Sequence, residues 1–132
     1  MTSVERRLRN PGRRVVGIDP GITGALAMFE GGRLAEVVDM PVNGSRVDGA
    51  ELRDIFLDWL PDVVYLEDVH AMVKNGVVAS FSLGYNTGVV TGVVHTLTIP
   101  LVRVSAQAWK RKAGLWGKPK DASRGLAREL FP

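Results

Sequence analysis

Apolar and polar positions change their period several times along this 132-residue chain. Residues 14–19, RVVGID, form a short apolar run that ends in an acid, and the run reads as a strand. Residues 24–30 form a second strand, Gly31-Gly32 supplies a hairpin turn, and residues 33–40 return as a third, so the chain opens on a three-stranded meander. The period then lengthens. Leu52, Ile55, Phe56 and Trp59 recur at helical spacing behind Asp48, a suitable N-cap, and Pro61 stops the helix. Residues 62–69, DVVYLEDV, follow as a buried strand. A long helix is expected over about residues 79–97, a strand near 101–104, a short helix at 106–112 and a last helix from about Lys120. The order βββαβαβαα sets antiparallel strands before βα units, which predicts an α/β fold with helices packed on a mixed sheet.

Composition narrows the function classes. The length and a hydrophobic content of 45% suit one globular domain with a real core. With no cysteine, a metal must be held by carboxylates or by one of 2 histidines, which favours hard cations. The basic N-terminus lacks an apolar signal core, and no run approaches the ~20 uninterrupted apolar residues of a membrane span, so a cytoplasmic location is expected.

The net charge of +3 is unevenly spread. Residues 1–14 carry five Arg against Glu5, residues 30–68 carry ten acids against three Arg, and residues 103–132 carry eight Lys or Arg against Asp121 and Glu129. A basic segment of this kind suits phosphate-rich nucleic acid; a solvated charged face is the other reading.

Two strands end in carboxylates. On the strand at 62–69, Val63, Tyr65 and Glu67 share one face and Val64, Leu66 and Asp68 the other, so Glu67 continues an otherwise apolar row. A carboxylate there is costly unless it is paired, hydrogen-bonded or bound to a cation. Asp19 poses the same problem at the end of RVVGID, where Pro20 favours extended geometry and Gly21 permits a sharp turn. Taken alone, Asp-Pro-Gly is a turn signal and the Glu-Asp pair an exposed strand end. Together with the basic C-terminal third they point to a metal-dependent site acting on phosphates, provided the two strands are neighbours.

GIDPGITGALAMF, VVYLEDVHAMVKNG, FSLGYNTGVVTG, VSAQAWKRKAGL and KPKDASRGLARELFP, in that order, resemble the RuvC-type Holliday-junction resolvases, particularly their phage-like branch. The resemblance runs from about residue 14 to the end. It implies a ribonuclease H-like domain over residues 14–132 after a basic tail at 1–13, a five-stranded mixed sheet, a homodimer, and Mg2+- or Mn2+-dependent cutting of four-way DNA junctions. Asp19 matches the family's first metal ligand and Glu67 its second acidic residue. His70 falls where the family sends an aromatic residue into the junction, and Lys74, Lys110, Arg111, Lys112, Lys118 and Lys120 suit phosphate contacts.

Family members add two further acids, or an acid and a histidine, on a last helix, whereas this sequence stops at Pro132. Asp121 and Glu129 lie eight positions apart, on helix faces offset by ~80°, and do not replace that pair. The expectation is therefore a domain without that last helix and with an incomplete catalytic centre, either because the chain is truncated or because the protein has become a catalytically incomplete module that binds branched DNA. An ATP-using domain of the actin and sugar-kinase type is the third class, disfavoured by length. Gly84, Gly88 and Gly92 recur every four residues and suit close helix packing, within the chain or against a second copy. Trp109 and Trp116 flank the basic cluster, as hydrophobic anchors or base-stacking surfaces.

Overall fold

A computed structural model describes residues 2, 5, 12–69 and 76–132. β1 (Arg14–Asp19), β2 (Ala25–Glu30) and β3 (Arg33–Asp39) form the expected meander. Gly31 and Gly32 turn between β2 and β3 with φ of 58° and 81°, the left-handed pair that a tight two-residue hairpin requires. β4 (Val42–Asn43) and β5 (Arg46–Val47) then make a small antiparallel hairpin that the hydrophobic pattern did not register, because two-residue strands carry no period.

α1 (Gly49–Trp59) begins at Asp48, whose side chain accepts hydrogen bonds from the backbone N–H of Ala50 and Glu51, both at 3.1 Å. It ends at Leu60 in the left-handed conformation, with Pro61 following. β6 (Val63–Asp68), α2 (Val77–Thr96), β7 (Leu101–Ser105), α3 (Ala106–Lys112) and α4 (Asp121–Leu130) complete the chain. α2 starts two residues ahead of the sequence-based expectation, behind Gly76 and without a side-chain cap.

The main sheet has the order β3-β2-β1-β6-β7, antiparallel on the β3 side and parallel from β1 through β6 to β7. One face is closed. Val16, Ile18, Leu26, Met28, Val64 and Leu66 point from it into a core shared with Leu52, Phe56 and Trp59 of α1 and Val90 and Val94 of α2. Each large side chain buried there contributes roughly 1.5–3 kcal/mol by removal from water. By length and mean hydropathy (1.4) α2 could cross a membrane, but here it covers the sheet, and its buried Asn86 accepts the Val47 N–H at 3.0 Å. Gly84, Gly88 and Gly92 lie on the exposed side of α2, where an added Cβ would meet nothing within 4 Å.

The other face, carrying Val15, Gly17, Ala25, Ala27, Tyr65 and Glu67, is only partly covered. α3 lies over part of it, and Phe131 packs edge-on against Phe29 with ring centroids 5.1 Å apart. The strand expected to be buried is covered unevenly: Val63, Val64 and Leu66 are buried, while Tyr65 is 40% exposed and Glu67 half-buried, so the apolar row that Glu67 continues opens to solvent towards the end of β6.

Arg14 is also not the free cation that the charge count made it. It is fully buried; its guanidinium donates to the Trp59 carbonyl and pairs with Glu30 at 3.5 Å, and its backbone N–H donates to Asp62 at 2.8 Å.

Candidate active site

Asp19 and Glu67 come together because β1 and β6 are adjacent and parallel. Their register pairs Val15 with Val63 and Ile18 with Leu66, so one more step along both strands sets Asp19 level with Glu67 on the same face. The chain reverses immediately after Asp19. Gly21 has a φ of 117°, and Gly24 passes so close that a Cβ there would stand 1.9 Å from the Asp19 carbonyl oxygen. Gly24 is further tied by its N–H to the Gly21 carbonyl at 3.1 Å and by its carbonyl to the Met40 N–H at 2.9 Å. The acid is therefore carried on a tightly folded turn.

The two carboxylates open into a cavity of about 630 Å³. Gly17, Ala25, Ala27 and Val104 supply small apolar walls, Tyr65 stands on β6, and Ala108, Trp109 and Lys112 reach in from α3. The Asp19 side chain still reaches solvent, yet these walls withhold enough water to raise its carboxyl above the ordinary value, and the negative charge of Glu67 raises it further. Among the described residues neither carboxylate forms an ion pair. Asp68, the neighbour of Glu67, faces away and stands 3.9 Å from Arg103 on the surface.

α3 is set by the end of β7. Ser105 closes the strand and caps the helix, its hydroxyl accepting the Ala108 N–H at 3.1 Å. Because Val104 pairs with Glu67 across β6 and β7, the first turn of α3 rises beside that acid, and the Trp109 indole N–H donates to Glu67 Oε2 at 3.1 Å. Sequence reading placed Trp109 only beside the basic cluster. The available signal was its position four residues after a strand-ending serine.

The expected DNA-contacting residues are not gathered equally. Lys112 lines the cavity; Lys110 is half-buried with its ammonium 5.6 Å from the Trp109 ring centroid, and Arg111 lies 5.2 Å from that of Trp116. Lys118 and Lys120 are exposed on the approach to α4. His70 and Lys74 lie outside the described residues. Asp121 and Glu129 are exposed on α4 and do not line the cavity, as their spacing predicts. No group of three or more His, Cys, Asp or Glu side chains suited to a metal occurs among the described residues.

No protein-family model and no curated protein sequence matches this chain. Solved structures do. RuvC from Thermus thermophilus aligns with a TM-score of 0.65 at 20% identity, over 89% of this chain and 80% of RuvC. The same protein in complex with a Holliday junction substrate aligns with a TM-score of 0.70 at 20% identity, over 90% and 79%. The yeast mitochondrial Holliday junction resolvase Ydc2 aligns with a TM-score of 0.50 at 15% identity, over 92% and 67%. At these identities the likeness is one of architecture: the chain has a RuvC-like ribonuclease H fold, a mixed five-stranded sheet flanked by helices.

Proposed function

We propose that this chain is a metal-dependent, structure-selective endonuclease that resolves four-way DNA junctions by phosphodiester hydrolysis, with Asp19 and Glu67 as its catalytic carboxylates. The carrying observation is the pair of like-charged acids on adjacent parallel strands, facing one cavity with no protein cation paired to either among the described residues. The fold shared with RuvC, solved in complex with a Holliday junction substrate, and with Ydc2, named a Holliday junction resolvase, supports this substrate class.

The donor set fits Mg2+ or Mn2+. Hard carboxylate oxygens suit such ions, and Mg2+ commonly takes one or two carboxylates and completes its shell with water and substrate phosphate. A bound divalent cation supplies a water of lowered pKa and neutralises charge on the phosphate. The chain's own residues do the rest. Asp19 and Glu67 fix the cation's position, and the glycine and alanine walls admit a backbone while limiting water. Lys112 presents an ammonium to a phosphate at the cavity, and Lys110, Arg111, Lys118 and Lys120 extend the cationic surface along α3 and the approach to α4.

The proposal includes a homodimer, because a four-way junction offers two equivalent strands to a twofold assembly. The uncovered Gly84, Gly88 and Gly92 side of α2 supports it, because without side chains there a second helix could approach the backbone closely. Membership of the phage-like branch and a bacterial or phage-infected cytoplasm as the site of action belong to the same reading.

One observation favours a second reading, a junction-binding module without turnover: only two carboxylates line the cavity among the described residues. A labelled four-way junction incubated with Mg2+ and then Mn2+ separates the two. Cutting that disappears in Asp19→Asn and Glu67→Gln supports the nuclease. Junction-selective binding without cutting supports the module, and absence of both overturns the junction reading.

A further inference from the structure

The Trp109 indole stands against Glu67 in a way that bears on how that acid could hold a metal. Its N–H donates to Oε2 at 3.1 Å, across 42 positions of sequence, and its ring forms part of the cavity wall. Its place is fixed at both ends of α3, by the Ser105 cap and by the Trp109 carbonyl, which accepts the Ala113 N–H at 2.9 Å.

We propose that Trp109 is a positioning residue for the metal site: its indole N–H holds one oxygen of Glu67 and leaves the rest of the carboxylate turned toward Asp19 for a divalent cation. This rests on the reading of Glu67 as a metal ligand.

The choice of an indole has a chemical reason. An ionised carboxylate offers about four acceptor positions, and one N–H takes only one of them. A lysine or arginine would hold Glu67 as firmly but would bring a positive charge that repels the incoming cation. Indole is a neutral donor with no acceptor, so it neither neutralises the acid nor competes with it for the metal. It also removes rotamer freedom that a glutamate would otherwise lose on binding the ion. Partners of this kind commonly contribute ~10–100-fold to metal affinity. The same ring has the Lys110 ammonium 5.6 Å from its centroid, so the residue that holds the acid also borders the cationic surface.

Two measurements on the full chain test this. In metal-free protein, the indole 1H–15N resonance assigned to Trp109 by its loss in Trp109→Phe should move on Glu67→Ala, because its acceptor is gone; an unmoved resonance overturns the proposal. In Mn2+ titrations followed by calorimetry, Trp109→Phe should bind at least ~10-fold more weakly than wild type. Replacement of Trp109 by benzothienylalanine, which keeps the shape and lacks the N–H, should reproduce that loss and guards against a folding defect. Equal Mn2+ affinity in wild type and the benzothienylalanine protein overturns the role of Trp109 and leaves the site standing. No Mn2+ binding by wild type overturns the metal reading and the proposal with it.

Discussion

Asp19 and Glu67 stand at the same level of two adjacent parallel strands, and the charge of Glu67 adds to burial in holding the Asp19 carboxyl above its ordinary value. A cation held between the two would relieve that penalty on Asp19, which also gives the metal-free protein a measurable pH signature.

Below the ordinary Asp value of 3.8, folded and unfolded chains both carry the Asp19 proton and the group does not affect stability. As pH rises, the unfolded chain releases its proton first, so the native state binds more protons and stability falls until the raised folded value is passed. The penalty is then fully present at neutral pH. Asp19→Asn should therefore melt at a higher temperature than wild type at pH ~7 in chelator, and the gain should vanish well below pH ~4. Paired thermal melts at the two pH values check this; a lower melting temperature for the variant at neutral pH contradicts it.

Gly24 is coupled to the same acid through the backbone. A methyl group 1.9 Å from the Asp19 carbonyl oxygen cannot be accommodated without moving the turn that carries the acid. Gly24→Ala should cost more than ~1 kcal/mol in chemical denaturation. It should also weaken the stabilisation by Mn2+ seen in wild type, because the displaced turn changes the position of Asp19.

The cationic surface should act through phosphate contacts without reading sequence. Replacing Lys112, Lys118 and Lys120 with Ala should weaken binding to junction and duplex alike and reduce the salt slope by up to ~0.9 for each contact removed. Fluorescence titrations at four salt concentrations measure the slope. An unchanged slope places the DNA elsewhere.

The glycine row on α2 yields opposite effects on folding and assembly. Because a Cβ at Gly88 meets nothing within 4 Å, Gly88→Ala should stabilise the isolated chain by up to ~1 kcal/mol through helix propensity. Gly88→Leu should reduce the dimer fraction by light scattering if this face packs on a second copy. A dimer indifferent to leucine at this position uses another surface.

The elements with a local cause were legible in the chain itself. β1 and β6 announced themselves as apolar runs, Gly31-Gly32 as a turn, and Asp48 and Pro61 as the limits of α1. Asp19 and Glu67 stood out because both are acids at the ends of apolar runs. What escaped depends on contacts distant in sequence. The open face on which Glu67 lies is decided by where α1 and α2 pack, and strand alternation alone cannot choose between the two faces. The burial of Arg14 depends on Trp59 and Glu30, and the role of Trp109 depends on an acceptor 42 residues away. The β4–β5 hairpin was missed for a different reason, since two residues per strand are too few to show a period.

The most direct test of the coupling between Asp19, Glu67, a divalent cation and branched DNA is the affinity for a four-way junction against a duplex of the same sequence, in chelator and in Mg2+, for wild type and Asp19→Asn. Wild type should prefer the junction by at least ~10-fold, a difference of ~1.4 kcal/mol, and Mg2+ should strengthen that binding in wild type while leaving Asp19→Asn unchanged. Equal affinity for junction and duplex, or a Mg2+ effect that survives Asp19→Asn, would contradict the account.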